Sequence, residues 1–294
     1  MQNLDPLPYS LIEDDDLPTM VAKAVGTRPV TLTPLPGGMF GTIHRASFAD
    51  GTDLVVKHLP EDDARLDIEA EMLRALRLPD VIRVPDVLFA SPHLLIQEFL
   101  PGNHLEPAAH ADLGRHLARL HAVTSDQAGL GGTTLNGSLP LPSPWTDSWI
   151  TFYRDHRLRF ATHLVSERLP AGFTDRLERL AERLDDVLIE PDASSLLHGD
   201  IWSANVLSQG ELVTGFLDPS TCYGDPEMEL AYAITFGRLG EAVLDAYTAI
   251  RPLAPGFREH RAPIYAIYPA LIHIHYLGDR FVPTLARLLD ECCV

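Results

Sequence analysis

The hydrophobic pattern of this 294-residue chain changes near residue 100. Before that point, short apolar runs of strand length alternate with glycine-containing turns. After it, apolar residues recur mostly at helical spacing. We therefore predict an α+β fold of two lobes, with a small β-rich lobe over residues 1–100 and a larger, mainly helical lobe over residues 101–294. We expect Pro101-Gly102 to form the hinge between them.

The same periodicities predict the elements of each lobe. In the small lobe they are helices at residues 16–25 and 61–77 and strands at residues 30–35, 43–48, 54–59, 86–90 and 93–99. In the larger lobe they are helices at residues 107–123, 145–165, 173–188, 227–236, 241–250 and 259–277. Residues 129–144, rich in glycine, proline and serine, predict a loop. Residues 195–218 are an exception among the helices, because their short apolar runs between turn residues predict hairpin strands.

The formal net charge of −18 at pH 7 limits the partners of the chain. Each contact with a nucleic-acid or lipid phosphate requires a cation, so we expect neither a nucleic-acid partner nor a membrane partner. The charge suits a cationic or amine-bearing substrate, although an acidic surface that only maintains solubility accounts for it equally well. Nothing in the sequence specifies an oligomeric state.

The start of the chain does not resemble a signal peptide or a transit peptide. The first 16 residues are acidic and lack a basic or apolar targeting segment, and no stretch resembles a membrane span. The three cysteines do not form a disulfide framework. We therefore expect a cytoplasmic protein with reduced thiols.

The segment HGDIWSAN at residues 198–205 contains Asp200 and Asn205, and Asp218 follows it. Asp200 and Asn205 have the spacing D-x-x-x-x-N, which in protein kinases places a base and a magnesium ligand on one loop. Asp218 follows at the end of an apolar strand, where a second metal-binding carboxylate is expected. The spacing alone is common in unrelated chains, and Asp218 could simply cap a turn before Pro219. Together with the preceding His-Gly, the three residues predict phosphoryl transfer.

Lysine is almost absent from the chain. Of the 23 basic residues only Lys23 and Lys57 are lysines, so the lysine within the predicted third strand needs a specific role. A lysine that holds the α- and β-phosphates of a nucleotide supplies one, because arginine would be too bulky and rigid there. Glu69 on the next helix is its expected partner, whereas Glu71 is predicted to face away. The alternative is a solvated lysine on an edge strand.

Three glycines, Gly37, Gly38 and Gly41, lie between the first two predicted strands. There a flexible backbone could approach a triphosphate with its N–H groups. The segment matches neither G-x-G-x-x-G nor a Walker motif, and on its own it predicts only a hairpin turn.

The end of the small lobe offers a position for adenine. Glu98, Phe99 and Leu100 come directly before the predicted hinge. Their backbone would lie against the base, an expectation that rests on position alone. The predicted cofactors are therefore ATP and Mg²⁺.

Several segments resemble the fructosamine kinases, also called ketosamine kinases. They are LLHGDIWSANVL from Leu196, LDPSTCYGDPEMELAYAITFG from Leu217, DSWITFYRDHRL from Asp147 and APGFREHRAPIYAIYPALIHIHYLG from Ala254. Generic phosphotransferases share the His-Gly-Asp run, whereas the Trp-Ser after it and the Tyr-Gly-Asp-Pro-Glu run are more particular to this family. The resemblance spans most of the chain and implies the two-lobed fold of protein kinases and aminoglycoside phosphotransferases.

The resemblance also implies an activity. Members of the family use ATP to phosphorylate a sugar hydroxyl, usually the 3-hydroxyl, of a ketosamine formed from glucose or ribose and an amine. The substrate is a small molecule or is bound to a protein, and the product breaks down, which repairs the glycated amine.

The resemblance assigns roles residue by residue. Asp200 becomes the catalytic base, and Asn205 and Asp218 become the magnesium ligands. Lys57 becomes the phosphate-binding lysine, with Glu69 as its partner. An aspartate with an ordinary pKa of about 4 is a poor base for an alcohol, so we expect it mainly to orient the hydroxyl and to accept its proton late.

Two residues are assigned to the substrate in the same way. Trp202 would pack on the sugar and amine, and His273 in the last long predicted helix would reach the hydroxyls. Simple loop packing is the alternative for Trp202. A buried histidine bonded to a helix carbonyl is the alternative for His273.

Two other functions stay open at this point. A phosphotransferase that acts on an aminoglycoside, choline or homoserine would use the same phosphotransfer residues. A nucleotide-binding pseudokinase that serves as a scaffold would belong to a different class, although the presence of every expected phosphotransfer residue disfavours it.

Overall fold

The small lobe is built on an antiparallel sheet. The computed structural model describes residues 15–36, 41–61 and 64–292. Within these residues the strands of the sheet are β1 Thr31–Pro34, β2 Thr42–Ser47, β3 Asp53–His58, β4 Val87–Ala90 and β5 Leu94–Glu98. Their order is β1-β2-β3-β5-β4, with every neighbouring pair antiparallel.

Two helices accompany the sheet, α1 Leu17–Val25 and α2 Leu66–Arg77. The first begins where the Asp16 carboxylate accepts a hydrogen bond from the Thr19 N–H at 2.8 Å, an ordinary N-cap. The second begins five residues later than predicted, because the backbone at Arg65 has φ −145° and is not helical.

Side chains alternate across β3, and this alternation places its lysine. Leu54 and Val56 face the core that the sheet shares with α1. Lys57 therefore points to the opposite face, where α2 packs. Four of the five buried residues of α2 belong to the core of the larger lobe, so this helix connects the two lobes; they are Leu66, Ala70, Leu73 and Leu76.

Helices make up most of the larger lobe. Within the described residues they are α3 His110–Leu120, α4 Trp149–Tyr153, α5 Phe160–Val165, α6 Phe173–Glu182, α7 Leu184–Val187, α8 Pro226–Thr235, α9 Glu241–Thr248, α10 Ala262–Leu277 and α11 Val282–Glu291. A π-helical stretch, Arg154–Arg159, joins α4 to α5, and another, Phe257–Arg261, precedes α10. Each π-helical stretch is continuous with its neighbouring α-helix. Single long helices were therefore predicted over residues 145–165 and 259–277.

The described part of the larger lobe also contains eight short strands. They are β6 Asn103–His104, β7 Thr124–Ser125, β8 Gly132–Asn136, β9 Leu139–Ser143, β10 Ser194–Leu197, β11 Val206–Gln209, β12 Leu212–Phe216 and β13 Cys222–Gly224. As predicted for residues 195–218, β11 and β12 form a hairpin. The segment HGDIWSAN connects β10 to β11, and Asp218 follows β12.

The prediction of a loop over residues 129–144 is wrong. Strands β8 and β9 pair there as an antiparallel hairpin in which Asn136 lies opposite Leu139. The turn begins with Asn136-Gly137, and Gly137 has φ 57°. Asn-Gly is a strong hairpin signal, which the high content of proline and glycine obscured.

Helix α11 was not predicted from the sequence. Its proline lies in the first turn, where the missing N–H has no partner to lose. Leu285, Leu288 and Leu289 are buried and form one face of the helix.

Among the described residues, no helix combines the length and the apolar character that crossing a membrane requires.

Candidate active site

The loop between β10 and β11 is fixed by a close backbone approach. Gly199 has φ 86°, and a Cβ atom added to it would lie 2.0 Å from the backbone oxygen of Ser220. The Ser220 N–H in turn donates to the His198 oxygen at 2.8 Å. Only glycine fits this position, so the next residue, Asp200, is held in a defined place on the loop.

Both carboxylate oxygens of Asp200 accept hydrogen bonds. The hydroxyl of Tyr232 on α8 donates to Oδ1 at 2.7 Å, and Nδ2 of Asn205 donates to Oδ2 at 2.8 Å. Burial raises the pKa of Asp200 to about 6, because the two hydrogen bonds, which lower it, do not offset the loss of water and the nearby charge of Asp218. The expectation of an ordinary pKa is therefore wrong, and the carboxylate is a stronger base than the sequence suggested.

Asn205 and Asp218 lie side by side. The Leu217 N–H donates to the Asn205 backbone oxygen at 2.8 Å, and Asn205 Nδ2 lies 3.4 Å from the Asp218 backbone oxygen. Asp218 has φ 51°, one of three positive values among the described residues other than glycine. The arrangement places the Asp218 carboxylate at the end of β12, next to the loop that carries Asp200.

The donor set of these two residues fits a magnesium ion. Asn205 uses its Nδ2 for Asp200, and among the described residues nothing donates a hydrogen bond to its Oδ1. Asp218 uses Oδ1 for Lys57, and its side chain is 45% exposed. One amide oxygen and one carboxylate oxygen are thus available, and a magnesium ion on nucleotide phosphates requires few protein ligands.

Lys57 joins the two lobes through an ion cluster. Its Nζ lies 2.6 Å from Glu69 Oε1 and 2.5 Å from Asp218 Oδ1. Burial opposes the charge of Lys57, but the carboxylates of Asp218 and Glu69 together outweigh burial and raise its pKa. Glu71 is exposed on the other side of α2, as its position predicted.

The glycine segment is described only in part. Gly41 has φ 66°, and a Cβ atom there would lie 2.6 Å from the His58 backbone oxygen, so glycine is required for the approach to β3. Gly37 and Gly38 lie outside the described residues.

The end of β5 leads into the predicted hinge. The last ladder pair joins Glu98 to Leu54, so Phe99 and Leu100 follow beyond the ladder. The Glu98 side chain forms an ion pair with Arg83. Leu100 is buried.

A cleft of about 910 Å³ opens beside Asp200 in the larger lobe. Trp202 and His273, the two predicted substrate residues, both line it, and Trp202 is 41% exposed. The remaining lining is mostly apolar and comes chiefly from helices α8, α10 and α11, from the segment after α8 and from the turn of the β8–β9 hairpin. Such a cleft, apolar with a few polar groups, is typical of a small-molecule site.

His273 is bonded to a helix carbonyl, which was the alternative to a substrate role, and it also lines the cleft. Its Nδ1 lies 2.7 Å from the Pro269 oxygen, and a carbonyl can only accept, so Nδ1 carries the proton. Burial lowers the pKa of His273, which favours the neutral ring and leaves Nε2 as an acceptor. The ring stacks on Phe236 and lies against Phe281 at a tilt of 40°, with a centroid distance of 4.7 Å to each.

Comparison with protein families identifies the chain. The family model described as fructosamine kinase matches residues 27–294, almost the whole length. The chain belongs to the fructosamine kinase family. The resemblance stated from the sequence is therefore confirmed.

Individual relatives agree with this family. The chain is 34% identical to a probable ketoamine kinase of Synechocystis over 239 residues, which cover 76% of this chain and 77% of the relative. It is 32% identical to a chloroplastic protein-ribulosamine 3-kinase of Oryza sativa over 235 residues, which cover 76% of this chain and 67% of the relative.

Solved structures confirm the predicted fold. A crystal structure from Thermobifida fusca with the provisional name fructosamine-3-kinase has a TM-score of 0.85 at 28% identity, and the match covers 95% of this chain and 98% of that one. Aminoglycoside phosphotransferases at 15–16% identity have TM-scores of 0.64–0.65 and show the fold alone. This fructosamine kinase family member thus has the two-lobed α+β fold of kinase-like phosphotransferases, and it is a phosphotransferase enzyme.

The residues that support the loop between β10 and β11 were not predicted from the sequence. Glu229 on α8 is buried, and it accepts hydrogen bonds from the Gly199 N–H at 2.5 Å and from His121 Nε2 at 2.7 Å. Burial alone would raise the pKa of Glu229, but these bonds and the nearby imidazoles lower it. Glu229 and Tyr232 lie in the run EMELAY. This run belongs to a segment that resembles the family, but the resemblance assigned no role to either residue. Only the packing of α8 against the loop shows that they hold it.

Proposed function

We propose that this member of the fructosamine kinase family transfers the γ-phosphoryl group of ATP to a sugar hydroxyl, the 3-hydroxyl, of a ketosamine. The observation that carries the proposal is the position of Asp200. Its carboxylate lines the acceptor cleft, and it is bonded to Asn205, beside the Lys57–Glu69–Asp218 cluster. The names of the relatives, ketoamine kinase and protein-ribulosamine 3-kinase, support the acceptor class and the 3-hydroxyl.

The nucleotide is held by groups of both lobes in this proposal. Lys57, oriented by Glu69, binds the α- and β-phosphates. The backbone of Gly41, with Gly37 and Gly38, approaches the triphosphate. The backbone of Phe99 and Leu100 beyond the end of β5, with Glu98 at its last ladder pair, lies against adenine.

Asn205 Oδ1 and Asp218 Oδ2 would hold magnesium. When bound, the ion neutralises charge on the phosphates during transfer. The Asp218 carboxylate is adjacent to Lys57. In this proposal the metal ligand Asp218 and the phosphate-binding Lys57 are therefore direct neighbours.

Asp200 orients the acceptor hydroxyl and takes its proton. Tyr232 and Asn205 fix both oxygens of the carboxylate, so its orientation does not depend on the substrate. Trp202 offers an exposed indole face to the sugar and amine, and Nε2 of His273 accepts a hydrogen bond from a substrate hydroxyl.

A panel of acceptors tests this proposal. Purified protein is incubated with ATP and Mg²⁺ and with fructosyl-amines, ribulosyl-amines, aminoglycosides, choline and homoserine, and ADP release is measured. We expect turnover on at least one ketosamine and the phosphate on its 3-hydroxyl by NMR. Turnover confined to the other acceptors contradicts the proposed substrate class. Binding of Mg-ATP with no turnover on any acceptor indicates the pseudokinase instead.

A further inference from the structure

The acceptor cleft differs in charge from the protein as a whole. The chain carries a net charge of −18, yet two arginines, Arg238 and Arg287, line the cleft. The acidic residues of the lining are Asp200 and Glu229. Glu229 is only 2% exposed and is already bonded to Gly199 and His121 beneath the loop. Away from the Asp200 carboxylate, the accessible charge of the cleft wall is therefore positive.

The two arginines are not equivalent. Arg287 forms an ion pair with Glu291 at 2.5 Å on the same helix. Arg238 is exposed and has no hydrogen-bond or ion-pair partner among residues 15–36, 41–61 and 64–292. An acidic protein offers many carboxylates, so an arginine left unpaired at a substrate cleft is available for a ligand.

The backbone at Arg238 holds this side chain at the cleft against its conformational preference. Its φ is 54°, a left-handed value that side chains with a Cβ atom rarely adopt. The preceding Gly237 is locked, because a Cβ atom there would lie 2.7 Å from the backbone oxygens of both Ala233 and Ile201. The same turn ends α8, the helix of Tyr232, since the Gly237 N–H donates to the Tyr232 oxygen at 3.0 Å.

Residues that keep a strained backbone often do so for function, because glycine would fit the same position at lower cost. Of the three positive φ values outside glycine, one belongs to Asp218 of the nucleotide site and one to Arg238. The third, at Asp80, lies outside both the cleft and the ion cluster.

We propose that Arg238 is a specificity-determining residue that binds a carboxylate on the amine part of the ketosamine. The proposal rests on the function proposed above. A guanidinium presents a planar fork of donors that matches a carboxylate in two parallel hydrogen bonds. The acceptor class is then the ketosamine of an amino acid, whose secondary ammonium suits the acidic protein and whose carboxylate suits Arg238.

Two substrates that differ only in this group test the inference. They are the fructosyl adducts of glycine and of glycinamide, assayed with wild type, Arg238→Gln and the control Arg119→Gln, an exposed arginine on α3 outside the cleft. We expect Arg238→Gln to raise KM for the glycine adduct about 10-fold or more with kcat little changed. The same variant leaves the glycinamide adduct unaffected, and Arg119→Gln leaves both unaffected.

If Arg238→Gln changes KM equally for both adducts, the inference is overturned. A fall in kcat for both adducts also overturns it, because the arginine would then act on the transferred phosphate. Such a result leaves the proposed function standing, because wild type still phosphorylates the ketosamines. If wild type phosphorylates neither these adducts nor any other ketosamine, the proposed function fails and the inference fails with it.

A second variant separates recognition from folding. Glycine adopts a left-handed backbone without strain, so Arg238→Gly is expected to melt at the same temperature as wild type or higher. It also loses the preference for the glycine adduct over the glycinamide adduct. A lower melting temperature, or an unchanged preference, contradicts the account of Arg238.

Discussion

The nucleotide side and the acceptor side of the proposed site are built in opposite ways. On the nucleotide side, Lys57 forms ion pairs with both Glu69 and Asp218 across the lobes. On the acceptor side the cleft is wide and mostly apolar, and Arg238 has no partner within the described part of the chain. The side chains of the nucleotide side are thus held by one another before a ligand binds, whereas on the acceptor side a charged group is available to pair with the ligand.

The largest effect is expected from the centre of the ion cluster. Lys57→Ala removes the cation that we propose binds the phosphates, and it leaves the carboxylates of Glu69 and Asp218 without their shared partner. We expect kcat/KM for ATP to fall about 100- to 1000-fold, measured by steady-state kinetics. Lys23→Ala changes the only other lysine of the chain, which pairs with Asp15 away from the site, and it retains activity. Similar losses in both variants would mean that the cluster is not the nucleotide site.

A smaller effect is expected from the partner of this lysine. Glu69→Gln keeps the shape of the side chain but removes the charge that orients Lys57, so kcat/KM for ATP is expected to fall about 10- to 100-fold. The matched control is Glu71→Gln on the exposed side of the same helix, which is expected to behave as wild type. A greater loss in Glu71→Gln than in Glu69→Gln would reverse the assignment of the partner.

The smallest effect is a shift in pH dependence on the acceptor side. Asp200 acts as a base only when ionised, so kcat/KM for the acceptor is expected to decline as the pH falls below about 6, the pKa of this carboxyl. Tyr232→Phe removes a hydrogen bond that lowers this pKa, and the decline then begins about one unit higher.

Activity at pH 8.5 changes much less in Tyr232→Phe, because Asp200 is ionised in both proteins at that pH. Unlike a purely structural defect, the substitution thus has an effect that depends on pH. An acidic limb that does not move in Tyr232→Phe would show that Asp200 is not the titrating base.

The sequence predicted for a physical reason which charged residues of the nucleotide side lie together. The charged residues that phosphoryl transfer requires lie at regular positions along a strand, a helix and a loop. Helical periodicity therefore predicted that Glu69 faces Lys57 and that Glu71 faces away. It also placed Asp200 beside Asn205. Their roles in catalysis stay predictions until the variants are measured.

The acceptor side was less predictable because it consists of segments that are distant in sequence. Arg238 and Tyr232 reach the cleft only through the packing of α8, and the β8–β9 hairpin that closes one side was predicted as a loop. The pKa of Asp200 depends on burial by these elements, which no local pattern reveals. The whole-chain charge likewise gave no sign of the arginines that line the cleft.

The central claim is that the Asp200 carboxylate serves as the base for phosphoryl transfer to a ketosamine. The most direct measurement compares Asp200→Asn with wild type for ketosamine turnover and for Mg-ATP affinity in the same preparation. We predict that turnover falls about 100-fold or more while ATP affinity stays nearly unchanged, because the substitution removes the proton acceptor and retains the side-chain volume. Unchanged turnover in Asp200→Asn would contradict the claim.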